Sequence, residues 1–138
     1  MLSRKTRYAL IALSCLSREY GKDAVPMSRI AAERHVPIRF LEGIFLQLRH
    51  AGLLVSDRGV SGGYRLAKPP QEITVLDVVL ALNEDVQLIS CLDICGVSSE
   101  CEFDLDRENC RIRELFGEVH VLLHDKLSER TLAQLQLV

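Results

Sequence analysis

Residues 28–70, SRIAAERHVPIRFLEGIFLQLRHAGLLVSDRGVSGGYRLAKPP, contain two helical patterns of apolar residues and, after Gly52, a strand pattern. Ser28 is a typical N-cap residue, and we expect a short charged helix over residues 29–35 to follow it. Pro37 opens a second, longer helix that ends before Gly52, because proline costs no hydrogen bond in a first turn and glycine favours a helix end. Two helices of these lengths joined by a tight turn predict a helix-turn-helix.

The longer helix of this pair has a predicted core face and a predicted polar face. Its core face is Ile38, Leu41, Ile44, Phe45 and Leu48, and its other side carries Arg39, Glu42, Gly43 and Gln47. In a helix-turn-helix the start of the second helix enters a DNA major groove, where Arg39 can pair with a guanine edge or a phosphate and Glu42 can accept from a cytosine amine. Helical spacing alone fits an ordinary helical hairpin with a solvated charged face equally well.

A β-hairpin is predicted directly after this helix. Residues 53–57 and 64–67 are the strand candidates, and the turn over residues 58–63 contains three glycines. Glycine lets a backbone approach a phosphate closely, and Arg58 at the tip can enter a narrow minor groove, with Arg65 left for phosphates. A helix-turn-helix followed by a basic hairpin predicts a winged helix-turn-helix.

The flanking segments predict further helices, so the fold class is mainly α. These helices cover residues 3–20, 74–82, 110–128 and 132–135, with Ser3, Thr74 and Thr131 as N-caps and Gly21 at the end of the first. We expect a winged helix-turn-helix head at residues 1–70. Residues 71–138 then contain a connecting helix, a cysteine loop and a long C-terminal helix.

Charge is distributed unevenly along the 138 residues, whose net charge is −2. Residues 1–70 carry twelve Lys and Arg against five Asp and Glu, a net of +7, and residues 71–138 carry five against fourteen, a net of −9. A basic half suggests contacts with phosphates, and an acidic half would be repelled by DNA. Chance drift of charge is the alternative, but the split falls where the secondary-structure pattern also changes.

The composition is typical of a folded protein. Hydrophobic residues make up 48%, which is enough for a core, and the apolar runs are too short to span a bilayer. Ser14, Ser17, Arg18 and Glu19 interrupt the apolar stretch that a signal peptide would need. We therefore expect a cytoplasmic location, where cysteines are reduced by default.

Four of the five cysteines form one group, Cys91, Cys95, Cys101 and Cys110, with the spacing C-x3-C-x5-C-x8-C. The fifth, Cys15, lies on the apolar side of the first helix and is interpreted as a small buried hydrophobic residue. A structural zinc site is one of three alternatives, and the spacing disfavours it because such sites usually have paired C-x2-C hooks. The remaining alternatives are a metal-free thiol switch and an iron–sulfur cluster, which needs thiolates on a flexible loop.

The long C-terminal helix has apolar residues at spacings of three and four, namely Ile112, Leu115, Val119 and Leu122, broadened by Phe116 and Leu123. This spacing is typical of a packing seam between helices, and it would leave a large exposed patch on a monomer. We therefore expect a homodimer, although the seam can instead pack on its own head. His120 and His124 lie one turn apart and can in principle share a metal, but such a pair is more often a solvated face.

The chain closely resembles the Rrf family of winged helix-turn-helix transcriptional regulators (the IscR/NsrR/CymR group) in LSRKTRYAL (2–10), FLE (40–42), LRHAGL (48–53), RG (58–59) and SGGYRLA (61–67). The resemblance covers nearly the whole chain, and the wing motif is its most specific part. It implies a homodimer with two winged heads and a long C-terminal dimerisation helix. It also implies that Glu42 and Arg58 read sequence. Where such regulators use small polar residues at the start of the recognition helix, this chain has Pro37 and Arg39.

The resemblance also implies an iron–sulfur cluster, because cluster-binding members carry three cysteines in this loop. The first ligands are Cys101 and Cys110, followed by Cys91. Arg113 stands where those members have a histidine. The fourth ligand is therefore Cys95 or a non-cysteine residue from the partner's first helix.

The leading prediction is a homodimeric, sequence-specific regulator of transcription that binds palindromic double-stranded DNA. It would sense redox, iron–sulfur or nitric-oxide status through a 2Fe–2S or 4Fe–4S cluster. The candidate DNA-contacting residues are Lys5, Ser28, Arg39, Glu42, Arg58, Gly59, Tyr64 and Arg65. One alternative is a metal-free thiol- or small-molecule-sensing regulator on the same fold. A carrier or scaffold protein for iron–sulfur clusters is a remote alternative, since such a protein does not need a basic wing. We find no catalytic triad, phosphate loop or paired carboxylates in a recognisable frame, and an enzyme is not expected.

Overall fold

The computed structural model describes residues 2–60, 62–84, 86 and 108–136. Its helices are α1 (Arg4–Arg18), α2 (Met27–Arg34), α3 (Ile38–His50), α4 (Val75–Ala81) and α5 (Arg111–Glu129), its strands are β1 (Leu54–Asp57) and β2 (Gly63–Leu66), and two 3₁₀ turns cover Pro70–Glu72 and Leu132–Leu135. The predicted fold class is confirmed: a helix-turn-helix, α2–α3, is followed by a two-stranded antiparallel hairpin and then by further helices.

Three of the four predicted N-caps, Ser3, Thr74 and Thr131, are confirmed, and one is wrong. The Ser3 hydroxyl accepts from the Lys5 N–H at 3.1 Å, and Thr74 and Asp77 form a reciprocal capping box at the start of α4. Ser28 does not cap α2, because the helix begins at Met27, two residues before the predicted start, with Pro26 as its N-cap. The extended backbone of Pro26 supplies the cap geometry, and its carbonyl accepts from the N–H groups of the first turn.

The core face of α3 is confirmed at four of the five predicted positions. Leu41, Ile44, Phe45 and Leu48 are buried in the main core, whereas Ile38 is 45% exposed. The side chains of residues 37–40 are all exposed, so the first turn of α3 stands out from the core. Ile38 was therefore wrongly assigned to the core.

The main core combines both halves of the chain. It contains side chains of α1, α2, α3 and the hairpin together with Val78 and Leu82 from the α4 region and Leu132 near the C-terminus. The C-terminal segment returns to this core, where the Leu132 N–H donates to the Ile73 carbonyl at 2.9 Å. The division at residue 70 stays a prediction about organisation, since α4 packs in the same core as the first three helices.

Helix α5 packs along α4 through a smaller cluster. Leu123 and Leu127 lie against Val79 and Val86, so Leu123 packs on its own chain instead of broadening the exposed seam as expected. His120 is also buried, and its Nδ1 lies 3.3 Å from the Val86 carbonyl. The interpretation of the histidine pair as a solvated face is therefore wrong for His120. Across the described ranges, no helix is long and apolar enough to cross a membrane.

Candidate nucleic-acid interface

The turn between α2 and α3 sets the direction of the second helix. His35 ends α2 in a left-handed conformation, with φ 54° and ψ 35°. The next residue, Val36, is buried, and its N–H donates to the Ala31 carbonyl at 3.1 Å. Pro37 then takes the N-cap position of α3 with an extended backbone. A buried side chain and a proline thus hold α3 at a defined angle to α2.

The first two turns of α3 present side chains that can contact a base or a phosphate. Arg39 and Glu42 are both exposed, as predicted. The Arg39 guanidinium carbon lies 5.4 Å from the centre of the Phe40 ring, and the Phe40 ring lies 5.7 Å from that of Tyr8 on α1. This cation–π contact holds the Arg39 side chain towards α1.

The hairpin after α3 forms a wing with a basic tip. Its register pairs Leu54 with Leu66 and Asp57 with Gly63, and Arg58 follows β1 at the tip with an exposed side chain. Among the residues that the structure describes, none forms an ion pair with Arg58. The exposed Gly59 has φ +105°, a conformation that L side chains rarely adopt.

The base of the wing is fastened to the core at Tyr64. The Tyr64 N–H donates to the Val25 carbonyl at 2.8 Å, and the Val25 N–H donates to the Tyr64 carbonyl at 3.0 Å. The Tyr64 ring packs edge-on against Phe45 with centroids 4.9 Å apart. Gly63 permits this approach, because a Cβ there would lie 2.4 Å from the Val25 backbone. The structure therefore places Tyr64, a predicted DNA contact, against the core.

Arg65, the other predicted arginine of the wing, is paired with a carboxylate. Its Nε and Nη2 donate to Asp57 Oδ2 and Oδ1 at 2.8 and 3.0 Å. The hydrogen bond from Arg65 holds the pKa of Asp57 below its ordinary value, and the same bond raises the pKa of Arg65. Both side chains are exposed, so this bidentate pair orients the guanidinium on the surface of the wing.

The remaining predicted contacts lie on α1 and α2. Ser28 is exposed in the first turn of α2. Lys5 is half-buried, and its Nζ donates to the Leu82 carbonyl at the end of α4 at 3.1 Å. A basic residue that the sequence analysis did not single out is Arg49, whose Nη1 donates to the Ser56 hydroxyl at 3.3 Å and so links α3 to the wing. Its place in the last turn of a recognition-type helix was the signal available in the sequence.

Only Cys110 of the four grouped cysteines falls within the described residues. It is half-buried and occupies the N-cap position of α5, whereas Cys91, Cys95 and Cys101 lie outside the described residues. Cys15 is buried on α1, as predicted, and its Sγ accepts from Arg34 Nε at 3.2 Å. In the described part of the chain, no three His, Cys, Asp or Glu side chains lie close enough together to hold a metal ion.

Comparisons of this chain with a family model and with known proteins point to the same family. The model of the Rrf2 family, described as an iron-dependent transcriptional regulator, matches residues 2–136. An rrf2-like HTH-type regulator of Rhodobacter capsulatus is 37% identical over 134 residues, which cover 93% of this chain and 89% of that protein.

Solved structures of two transcriptional regulators superpose on this chain. CymR, the global cysteine regulator of B. subtilis, superposes with a TM-score of 0.81 at 27% identity and covers 99% of this chain and 95% of its own. T. potens IscR superposes with a TM-score of 0.74 at 26% identity, covering 98% of this chain and 85% of its own. These relatives are named as regulators and not as enzymes. The chain belongs to the Rrf2 family of transcriptional regulators.

Proposed function

We propose that this chain acts as a homodimer whose two winged heads read the halves of a palindromic operator, and that an iron–sulfur cluster on its cysteine loop controls that binding. The observation that carries the DNA-reading part is that the start of α3 and the wing tip at Arg58 are both exposed on elements that pack in one core. An exposed helix start and an exposed wing tip suit a major groove and the adjacent minor groove.

Within this proposal the basic residues divide by role. Arg39 and Glu42 on α3 face the bases, and Arg58 enters the minor groove. Lys5 and Ser28 lie beside the backbone, where they position the head without reading sequence. The Gly59 backbone at the wing tip permits close approach to a phosphate.

Support for the dimer comes from α5. Its side chains Ile112, Leu115, Val119 and Leu122 are 59%, 56%, 41% and 69% exposed. They recur by three and four residues and form one stripe beside the side that packs on α4. An apolar stripe of this length on an isolated chain marks an interface, and a second copy of α5 is the occupant with the same period.

The two ends of the cysteine loop support a link between the loop and the dimer helix. Val86 precedes the loop and is bonded through its carbonyl to His120 on α5, and Cys110 closes the loop at the start of α5. A change in the loop would therefore reach α5 at two points, Cys110 and His120. This is the helix that would set the spacing of the two heads.

The cysteine residues suit a cluster in their chemistry. Cys91, Cys95, Cys101 and Cys110 would hold it, because thiolates are the ordinary ligands of iron in these clusters. When bound, the cluster supplies iron whose redox state or loss is the signal. Cys110 lies where the free N–H groups of α5 favour a negatively charged ligand. The side chain of Cys110 would thereby join the cluster to the dimer helix.

Anaerobic purification with iron and sulfide analysis tests the cluster. We expect a coloured protein that contains both iron and acid-labile sulfide, and Cys101→Ala and Cys110→Ala should each remove the colour without unfolding the head. Cys15→Ala is the matched control, because its thiol is buried on α1 and accepts a hydrogen bond from Arg34, and the variant should stay coloured. Cys95→Ala distinguishes a fourth cysteine ligand from a ligand elsewhere. Protein that binds neither iron nor sulfide after reconstitution would rule the cluster out.

A metal-free thiol regulator is the second candidate. The likeness to the B. subtilis cysteine regulator and the four grouped thiols favour it. Iron-free protein distinguishes the two: a change in operator affinity on mild oxidation, reversed by a thiol reductant, supports the thiol switch. Operator affinity that responds only when iron and sulfide are present supports the cluster.

A further inference from the structure

A groove between α1 and α3 has the dimensions of a small-molecule site. Its volume is about 450 Å³, and its apolar lining includes Tyr8, Phe40, Ile44 and the backbone of Gly43. Ile44 is buried and forms the floor, whereas Phe40 remains partly exposed at the edge. Sites for small ligands in proteins are commonly of this size and mostly apolar.

Gly43 keeps the groove open. A Cβ at Gly43 would have no heavy atom within 4 Å, and the backbone of Gly43 has no positive φ that would require glycine. Glycine inside a helix is destabilising relative to alanine, so neither local conformation nor crowding explains it. Its effect is to leave free space beside the rings of Tyr8 and Phe40.

The rim of the groove is cationic. Arg4, Lys5 and Arg39 line it, and within the described lining there is no acidic side chain. Lys5 is held in position by its bond to the Leu82 carbonyl, and Arg39 is held over the Phe40 ring. A phosphodiester backbone would satisfy these cations but would leave the apolar floor empty. A neutral apolar molecule would fill the floor but leave the cations unpaired.

We propose that this groove binds a small carboxylic acid with an aromatic or branched apolar body, its carboxylate against the rim and its body on the floor. Arg39 belongs both to this rim and to the DNA-reading start of α3. A bound acid would therefore compete with DNA, and this part of the proposal rests on the proposed function. The ligand-binding part does not.

The direct test is a thermal melt of the full chain with phenylacetate, benzoate or 4-methylpentanoate. Phenylacetamide is the uncharged control, and inorganic phosphate is the control for charge alone. At about ten times its Kd, a bound acid should raise Tm by about 2–5 °C. The proposal is overturned if no acid raises Tm, or if phenylacetamide or phosphate raises it equally.

Two variants locate the effect. Gly43→Leu fills the groove and should abolish the Tm shift, with Gly43→Ala as a control that retains part of it. Arg39 lies at the exposed rim, so the Arg39→Gln variant should stay folded. Its Tm shift with phenylacetate should fall to the Tm shift with phenylacetamide. A full shift in both Gly43→Leu and Arg39→Gln would place the ligand elsewhere and overturn the assignment.

Competition is measured by fluorescence anisotropy with operator DNA. With the acid at about ten times its Kd, the apparent Kd for DNA should rise by about tenfold. For each variant, this rise is taken relative to the variant's own Kd for DNA without the acid. Ligand binding that leaves operator affinity unchanged overturns the competition. Failure to bind DNA under any condition overturns the proposed function and leaves the Tm result standing.

Discussion

Arg58 and Arg65 both belong to the wing, but their electrostatic surroundings differ. Arg65 donates two hydrogen bonds to Asp57, whereas Arg58 at the tip has no ion-pair partner among the described residues. A guanidinium that is already bonded must exchange one anion for another to reach a phosphate. We therefore predict that Arg58 makes the larger individual contribution to DNA binding.

Arg58→Ala should weaken operator binding by about 1–3 kcal/mol, because it removes a groove contact. Titration of operator DNA at several salt concentrations measures this, and wild-type affinity should fall steeply with salt. Lys126→Ala removes the same charge from an exposed position on α5 and serves as the control. Unchanged operator binding by the Arg58 variant would remove the wing tip from the interface.

Glu42 is an acidic residue on the exposed side of α3, where a phosphate contact is excluded by charge. If its carboxylate accepts from a base amine, Glu42→Ala should relax the preference at one position in each half-site. Non-specific affinity should rise, since repulsion from phosphates is lost. Selection of preferred sites from a randomised pool checks this, and identical preferences for both proteins would contradict it.

At the scale of the element, the wing depends on its attachment to Val25. Gly63→Ala would force a Cβ against the backbone at Val25, and backbone cannot move aside as a flexible side chain does. We expect a loss of about 1–3 kcal/mol in the free energy of unfolding, measured by urea denaturation. Gly43→Ala is the matched control, because its Cβ meets no heavy atom; it should be neutral or stabilise by up to about 1 kcal/mol. Equal stability of both variants would show that the wing adapts.

We also expect the Asp57–Arg65 pair to weaken the contact between Arg65 and DNA phosphates. Asp57→Asn removes a carboxylate and frees Arg65 for a phosphate, so non-specific DNA binding should strengthen. The dependence of DNA affinity on salt should also steepen, by the equivalent of about one phosphate contact. Titration with scrambled DNA across a salt series measures both. Asp57→Asn combined with Arg65→Gln should abolish the extra salt dependence, and a steeper slope retained in the double variant would contradict this role.

At the scale of the whole molecule, we expect the acidic second half to face away from DNA that contacts the basic first half. Helix α5 carries the apolar stripe that would join two copies, away from the wing and the start of α3. Helix α4 packs on both α1 and α5. Its contacts would therefore connect the proposed dimer interface on α5 with the proposed DNA-contacting surface of the head.

Leu115→Glu or Leu122→Glu should convert the dimer to monomer and aggregate, because each would bury an unpaired charge at a cost of several kcal/mol. Sedimentation velocity measures the change. Val121→Glu provides the control, since Val121 is 56% exposed on the same helix but lies off the stripe. If both the Leu115→Glu and the Leu122→Glu variants remain well-behaved dimers, the interface lies elsewhere.

Local chemistry was sufficient to predict most of the elements of this chain. Apolar spacing, the Ser3 and Thr74 caps and the glycines after α1 and α3 predicted element ends within two residues of those observed. These signals act within one helical turn or one hairpin, so a single sequence contains them. The winged helix-turn-helix order followed from them directly.

Tertiary contacts alone determined the placements that the sequence pattern could not predict. Tyr64 is drawn to the core by Val25, which is distant in sequence, and His120 is buried by Val86 across the cysteine loop. Ile38 is exposed because the first turn of α3 stands out beyond its neighbours, although its spacing fits the core face. Periodicity states which residues share a side of a helix. Burial depends on which other element covers that side, and only the folded chain determines this.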